Sequence, residues 1–284
     1  GLRRQDGIHA AAVVISPEAI TNYLPVQKKG KDAELVTQFE MHTVEQLGLL
    51  KMDFLGLRNL SIIDRTVELI NREDFNIDEI PLDDKKTFEL FSTGRMIGVF
   101  QLESRIAQIT SRSLKPTRFE EIVALVALIR PGPLGANMHI EFADRATGKK
   151  EIEFLHKDLK EILEETYGVI LYQEQVMQIA QKISAFQLDE ADDLRKAMGK
   201  KIPKVMEQQR KKFTDGAISN GYSEQFSIEL FDQIAFFAGY GFNKSHSVPY
   251  ALIAYQTAYL KANHPAEYLS CLLYTSPSPR DSDS

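Results

Sequence analysis

Gly48-Leu49-Leu50-Lys51-Met52-Asp53-Phe54-Leu55-Gly56-Leu57-Arg58 places a carboxylate inside a run that otherwise reads as a buried apolar strand. Side chains alternate faces along a strand, so Leu50, Met52 and Phe54 share one face, and Lys51, Asp53 and Leu55 the other. One face therefore carries an anion beside a cation. A carboxylate that ligates a divalent ion next to an ammonium that meets phosphate suits phosphoryl and nucleotidyl transfer. An edge-strand salt bridge or a helix-capping carboxylate accounts for the same spacing.

Outward from this run the chain changes character. Residues 9–17 and 35–39 read as strands, with Pro25 and the Lys28-Lys29-Gly30-Lys31-Asp32 cluster as a loop between them, so a small α/β unit ends near Arg58. From Asn59 the spacing becomes helical. Leu60, Ile63, Val67 and Ile70 form one stripe, Ile122, Leu125, Val126 and Ile129 another, and residues 173–184, 190–198 and 223–237 are further predicted helices. Gly98-Val99-Phe100-Gln101-Leu102-Glu103-Ser104 reads as a short strand entering a helix. No internal repeat or low-complexity linker separates these segments.

The 284 residues are 43% hydrophobic and 26% charged, as in soluble globular chains. No apolar run approaches the ~20 residues of a membrane-spanning helix. A net charge of −6 argues against a uniformly basic nucleic-acid coat, although a local basic strip stays compatible with it. A lone cysteine, Cys271, and no leader pattern point to a reducing cytoplasm. Both ends read as cut: Gly1 lacks an initiator methionine, and residues 271–284 resemble a translated sequencing adaptor, so they are expected to be a non-native tail.

Two segments could bind polyanions. Arg195-Lys196-Ala197-Met198-Gly199-Lys200-Lys201-Ile202-Pro203-Lys204, continued by Arg210-Lys211-Lys212, is the densest positive run, with Glu207 as the opposing charge. A turn at Gly199 and Pro203 would hold Lys200, Lys201 and Lys204 off the helix ends, and a solvated helix surface is the alternative. Gly239-Tyr240-Gly241-Phe242-Asn243-Lys244-Ser245-His246-Ser247 precedes a helix predicted from about Val248. Its free N–H groups, Lys244, Ser245 and His246 could receive phosphate. An interhelical turn capped by Asn243 or Ser247 explains it equally well. Arg130, before a rigid Pro131-Gly132-Pro133 turn, could present its guanidinium to phosphate or base, or serve as a helix-end charge. Tyr250 and neighbouring aromatics could stack on a base, or pack.

Some chemistries lack their signatures. The six histidines show no metal-ligand spacing, and neither Gly-x-Ser-x-Gly nor Gly-x-Gly-x-x-Gly occurs.

Taken in order, Gly7-Ile8-His9-Ala10, the Lys51 to Leu57 run, the Gly98 to Ser104 run, Arg130-Pro131-Gly132-Pro133, Leu171-Tyr172-Gln173-Glu174-Gln175, Ala197-Met198-Gly199-Lys200-Lys201 and Gly239 to Ser247 closely resemble the alpha-subunit family of bacterial DNA polymerase III, the C-family replicative polymerases. The resemblance runs to about Ser270. It implies an α+β chain: the C-terminal part of a nucleotidyltransferase-like palm over 1–58, then mainly α-helical fingers over 59–270. It implies that Asp53 matches the third of three aspartates that hold two Mg²⁺ ions, the other two belonging upstream of residue 1, so that the isolated fragment is expected to be inactive. Lys51 would lie near the nucleotide phosphates. Arg130, Arg195, Lys200, Lys201, Lys204, Lys244, Ser245, His246 and Tyr250 would line the nucleotide and DNA pocket. The implied partners are primer–template DNA, deoxynucleoside triphosphates and, in the intact protein, a sliding clamp and other replisome subunits, with no membrane. A noncatalytic DNA-binding helical module is the competing reading.

Overall fold

The computed structural model describes residues 7–9, 11–28, 34–200, 203–238 and 240–275. The chain divides into two units, Gly1–Arg58 and Asn59–Ser284.

In the first unit, β1 (Ala12–Ile15) pairs antiparallel with β4 (Leu50–Asp53), and β2 (Val26–Lys28) with β3 (Leu35–Thr37). A short helix, α1 (Met41–Gln46), leads into β4; the Glu40 carboxylate accepts from the His42 and Thr43 N–H groups and starts it. Leu24, Val44 and Leu49 form a small core, against which Val14 packs from β1. The register opposes Ala12 to Asp53 and Val14 to Lys51, so these four share a face. Val13, Ile15, Leu50 and Met52 share the other. This corrects the expectation of a buried apolar strand: Leu50 is 57% and Met52 41% exposed. Val14 packs on the small core from the face that carries Lys51, so pleat alternation directs the apolar side chains of β4 outward.

The second unit is helical in its described residues. After α2 (Arg58–Ile70) come α3 (Lys85–Thr93), α4 (Arg105–Leu114), α5 (Phe119–Leu128), α6 (Pro131–Gly135), α7 (Met138–Ala146) and α8 (Lys160–Leu163). Then follow α9 (Gln173–Ser184), α10 (Leu188–Lys200), α11 (Pro203–Ser219), α12 (Glu224–Ala238), α13 (Lys244–Asn263) and α14 (Pro265–Thr275). Every residue of α5 from Glu121 to Leu128 is buried, because the segment is apolar on all sides and neighbours surround it. Packed against it, α13 buries Ala251, Ala254, Tyr255 and Ala258, whose small residues allow close approach, and Ser247 Oγ donates to the Val123 carbonyl at 2.7 Å. Among the described residues no helix is long and apolar enough to cross a membrane.

Several expectations change in the fold. The stripe of α2 is rotated: Ile62, Ile63 and Thr66 are buried while Leu60 is exposed. The 98–104 segment is a pair of tight turns rather than a strand, since Gly98 and Gln101 have left-handed backbones (φ 81° and 57°) and Val99 and Leu102 donate back to Met96 and Val99. Helix α14 continues past Ser270 to Thr275, with Cys271 buried beside Leu260 and Tyr268, which leaves the expected tail over 271–284 untouched. Tyr268 also donates its hydroxyl to the Gly98 carbonyl at 2.6 Å.

Candidate functional site

Two groups of candidate residues are assembled, one in each unit. In the first, strand alternation sets Lys51 and Asp53 side by side, and the Lys51 ammonium donates to Asp53 Oδ1 at 2.6 Å. His9 Nε2 lies 3.9 Å from Asp53 Oδ2, a neighbour that spacing alone did not reveal. The hydrogen bond from Lys51 is the largest influence on the Asp53 carboxyl; against a smaller opposing effect of burial, and with the charges of Lys51 and His9, it holds that carboxyl below its ordinary value. Asp53 is 42% exposed and open to further ligands. A hard divalent ion such as Mg²⁺ takes about six oxygen ligands. Asp53 offers a carboxylate of the right chemistry, and among the described residues no group of three or more His, Cys, Asp or Glu side chains could complete a metal site.

The second group surrounds the start of α13. That helix begins at Lys244, earlier than predicted, because the Asn243 side chain accepts the His246 N–H at 2.8 Å and caps it. Lys244, Ser245 and His246 therefore occupy a helical turn, not a free loop. Ser245 is exposed. Two backbone contacts tie the preceding segment to the start of α9: Gln173 N–H donates to the Phe242 carbonyl at 2.9 Å, and Phe242 N–H to the Leu171 carbonyl at 3.3 Å. The start of α9 is itself held by Gln175, whose buried side-chain oxygen accepts from the Leu171 and Tyr172 N–H groups at 2.8 and 2.9 Å.

The anion-binding potential at this helix start is met from within the chain. Lys244 N–H donates to both Glu174 carboxylate oxygens, at 3.0 and 2.9 Å, and its ammonium reaches Glu165 Oε2 at 2.6 Å. Glu174 falls in the Leu171 to Gln175 motif but had no role assigned there, and Glu165 was not singled out, since nothing in their local spacing ties them to residue 244. The Tyr172 hydroxyl is buried beside this cluster without a hydrogen-bond partner among the described residues. Burial first, then the charges of Glu165, Glu174 and Glu120, push its pKa up.

Arg130 has a definite structural task. Its Nε donates to the Ala127 carbonyl at 2.9 Å, its Nη2 to the Tyr240 carbonyl at 2.7 Å, and its guanidinium lies 4.1 Å over the Phe242 ring. Burial lowers its pKa from the ordinary arginine value. Ring contacts continue from Phe242 to His246 (5.6 Å between centroids), to Tyr250 (4.3 Å) and to Phe100 (5.6 Å). Thus Arg130, distant in sequence, joins Phe242, His246 and Tyr250 in one stacked row that ends at Phe100, while Lys244 lies to one side over the Tyr172 ring. Arg130→Lys keeps the charge but loses the planar fork, so it is expected to cost about 2 kcal/mol and lower Tm by about 4–8 °C in thermal denaturation.

The long basic run is corrected by its surroundings. Arg195 pairs with Asp192 at 2.8 Å, Lys196 with Asp192 at 2.7 Å and Lys212 with Glu190 at 2.8 Å, while Arg210 pairs with Asp232. Helical turns and a neighbouring helix bring these acids alongside, so Glu207 is far from the only opposing charge. Lys204 is exposed in the first turn of α11, within a groove that also contains Glu207, Asp215 and Glu224. Lys201 and the side chain of Lys200 lie outside the described residues.

Residues 59–221 match the family described as bacterial DNA polymerase III alpha subunit finger domain, and residues 1–56 that described as bacterial DNA polymerase III alpha NTPase domain. Similar curated proteins include the DNA polymerase III subunit alpha of Mycobacterium tuberculosis, 46% identical over 280 residues, covering 96% of this chain and 24% of the relative. The proteins of the same name from Escherichia coli K12 and Vibrio cholerae are 47% and 48% identical, each over 285 residues, 96% of this chain and 25% of the relative. The chain spans about a quarter of the length of these curated relatives.

Proposed function

We propose, from the premise that this chain belongs to the bacterial DNA polymerase III alpha subunit family, that its parent protein is a template-directed DNA polymerase. In this reading residues 1–58 are the C-terminal part of a nucleotidyltransferase-like palm and residues 59–270 belong to the fingers. The carrying observation is the Lys51–Asp53 pair, 2.6 Å apart on one strand face, within a chain similar to DNA polymerase III alpha subunits over 96% of its length.

Asp53 would hold one edge of a Mg²⁺ site, with further ligands from elsewhere in the parent protein. Bound there, the metal would activate the primer 3′-hydroxyl and offset charge on departing pyrophosphate. Lys51 would turn its ammonium from Asp53 toward a phosphate. In the second unit His246 would offer a donor to phosphate, Lys244 would do so on leaving Glu165, Tyr250 and Phe242 would be stacking surfaces, and Arg130 would hold that row in place. Selection would rest on base pairing with the template, so protein contacts would go mainly to backbone phosphates. Because no group of three or more possible metal ligands gathers at Asp53 among the described residues, catalysis would belong to the whole parent protein. A sliding clamp and other replisome subunits would be its partners, in the cytoplasm.

Primer extension by the whole parent protein tests this reading. Expected is incorporation that requires template, deoxynucleoside triphosphates and Mg²⁺ together; a well-folded parent that binds DNA without extending it would overturn the proposal.

A further inference from the structure

The chain carries a net charge of −6, yet from Ser104 to Phe119 it contains Arg105, Arg112, Lys115 and Arg118 with no Asp or Glu. Arg112 lies in the last turn of α4, and Lys115 caps that helix in a left-handed conformation (φ 50°). With Lys149, which follows α7, they line a cleft of about 640 Å³ that also exposes the hydroxyl-bearing Ser113 and Thr117. It shares no lining residue with the group around the start of α13.

The carboxylates nearby are engaged elsewhere or weakly opposed. Glu121, in the lining of the cleft, is 5% exposed and accepts from the Tyr167 hydroxyl, the Thr117 N–H at 2.7 Å and the Arg118 N–H at 3.3 Å. Asp144 lies 3.7 Å from Lys149, a long contact on an exposed side chain. Arg112 and Lys115 form no ion pair among the described residues. This contrasts with the run at 195–212, where most described cations are already neutralised. A guanidinium fork, two ammonium groups and nearby hydroxyls, without a planar amide aimed into the cleft to read base edges, suit phosphate diesters.

We propose that this cleft is a sequence-independent contact for a nucleic-acid phosphodiester backbone. The choice of nucleic acid as ligand rests on the polymerase reading; the charge imbalance does not.

The test is fluorescence anisotropy of the whole parent protein with labelled single-stranded and primer–template DNA, titrated across KCl concentrations. The variant Arg112→Gln, Lys115→Gln, Lys149→Gln is compared with Lys182→Gln, Lys196→Gln, Lys212→Gln, which removes the same charge from lysines paired with Glu161, Asp192 and Glu190. The cleft variant is expected to lower the slope of log K against log salt by about 2–3 and to weaken binding at least about tenfold at low salt. Lys115→Gln alone, a mild exposed change, should lower the slope by about 0.7–0.9. The paired-lysine control should stay within about twofold of wild type. Cleft variants with wild-type slope and affinity would overturn the assignment while primer extension, and with it the polymerase reading, stands. A wild-type parent that binds no DNA would overturn both.

Discussion

Asp53→Asn in the whole parent protein is expected to reduce primer extension by about a thousandfold or more, roughly 4 kcal/mol of transition-state stabilisation, while primer–template binding stays within about twofold. The substitution is nearly isosteric. An amide oxygen remains for the Lys51 ammonium, which donates to Asp53 Oδ1 at 2.6 Å, so β4 should keep its pairing with β1. What disappears is the negative charge offered to a divalent ion. Because the Lys51 hydrogen bond holds the Asp53 carboxyl below its ordinary value, the wild-type group is ionised at neutral pH, and the variant compares charge with no charge. Single-turnover extension with saturating DNA, alongside anisotropy of the same complexes, separates the outcomes. Undiminished extension would remove Asp53 from the metal site. Extension and binding lost together would make it a structural anion, its role as partner of Lys51. Extension absent from wild type as well would favour a noncatalytic DNA-binding helical module.

Gly216→Ala is expected to destabilise the second unit by about 3 kcal/mol or more, although alanine in a helix interior normally gains up to ~1 kcal/mol over glycine. Gly216 lies within α11, where a Cβ would meet the Ser184 carbonyl oxygen at 2.4 Å and the Ser184 Cβ at 3.1 Å. The obstacle is backbone and cannot swing away. Nearby contacts hold α9 and α11 together: Ser184 Oγ donates to the Phe213 carbonyl at 2.8 Å, and Asn220 Nδ2 to the Ile183 carbonyl at 3.0 Å. An added methyl must therefore push these helices apart or distort both. Urea denaturation followed by far-UV circular dichroism measures the result; a midpoint raised by the substitution would show that the helices separate freely and that propensity governs the site.

Helix existence was largely legible in the chain because its cause is local. The segment 173–184 coincides with α9, and 223–237 differs from α12 by one residue at each end. Errors arose where a distant partner sets the conformation. The 98–104 turns rest on Thr257, whose Oγ1 accepts the Phe100 N–H at 3.1 Å, and on Tyr268. In β4, alternation correctly placed Lys51 and Asp53 on one face, but which face the small core would cover depended on pairing with β1. The candidate site divides in the same way. Arg130, Lys244, His246 and Tyr250 were visible as residue types beside Pro and Gly punctuation, whereas the neutralisation of Lys244 by Glu165 and Glu174 was not.

Periodicity, capping residues and the ordered motifs are properties of neighbours along the chain, and from them the α/β start, the helical remainder and the family likeness could be read. Burial and charge balance depend on which surfaces meet. A cation's neighbourhood is set by side chains within a few ångströms in space, often more than 50 residues away along the chain: the 2.6 Å pair of Lys244 and Glu165 joins α13 to the turn before α9. Coulomb interactions act over such distances and take no account of sequence separation. For that reason packing turned the most basic run into a largely paired surface and left Arg112 and Lys115 as cations without ion-pair partners among the described residues.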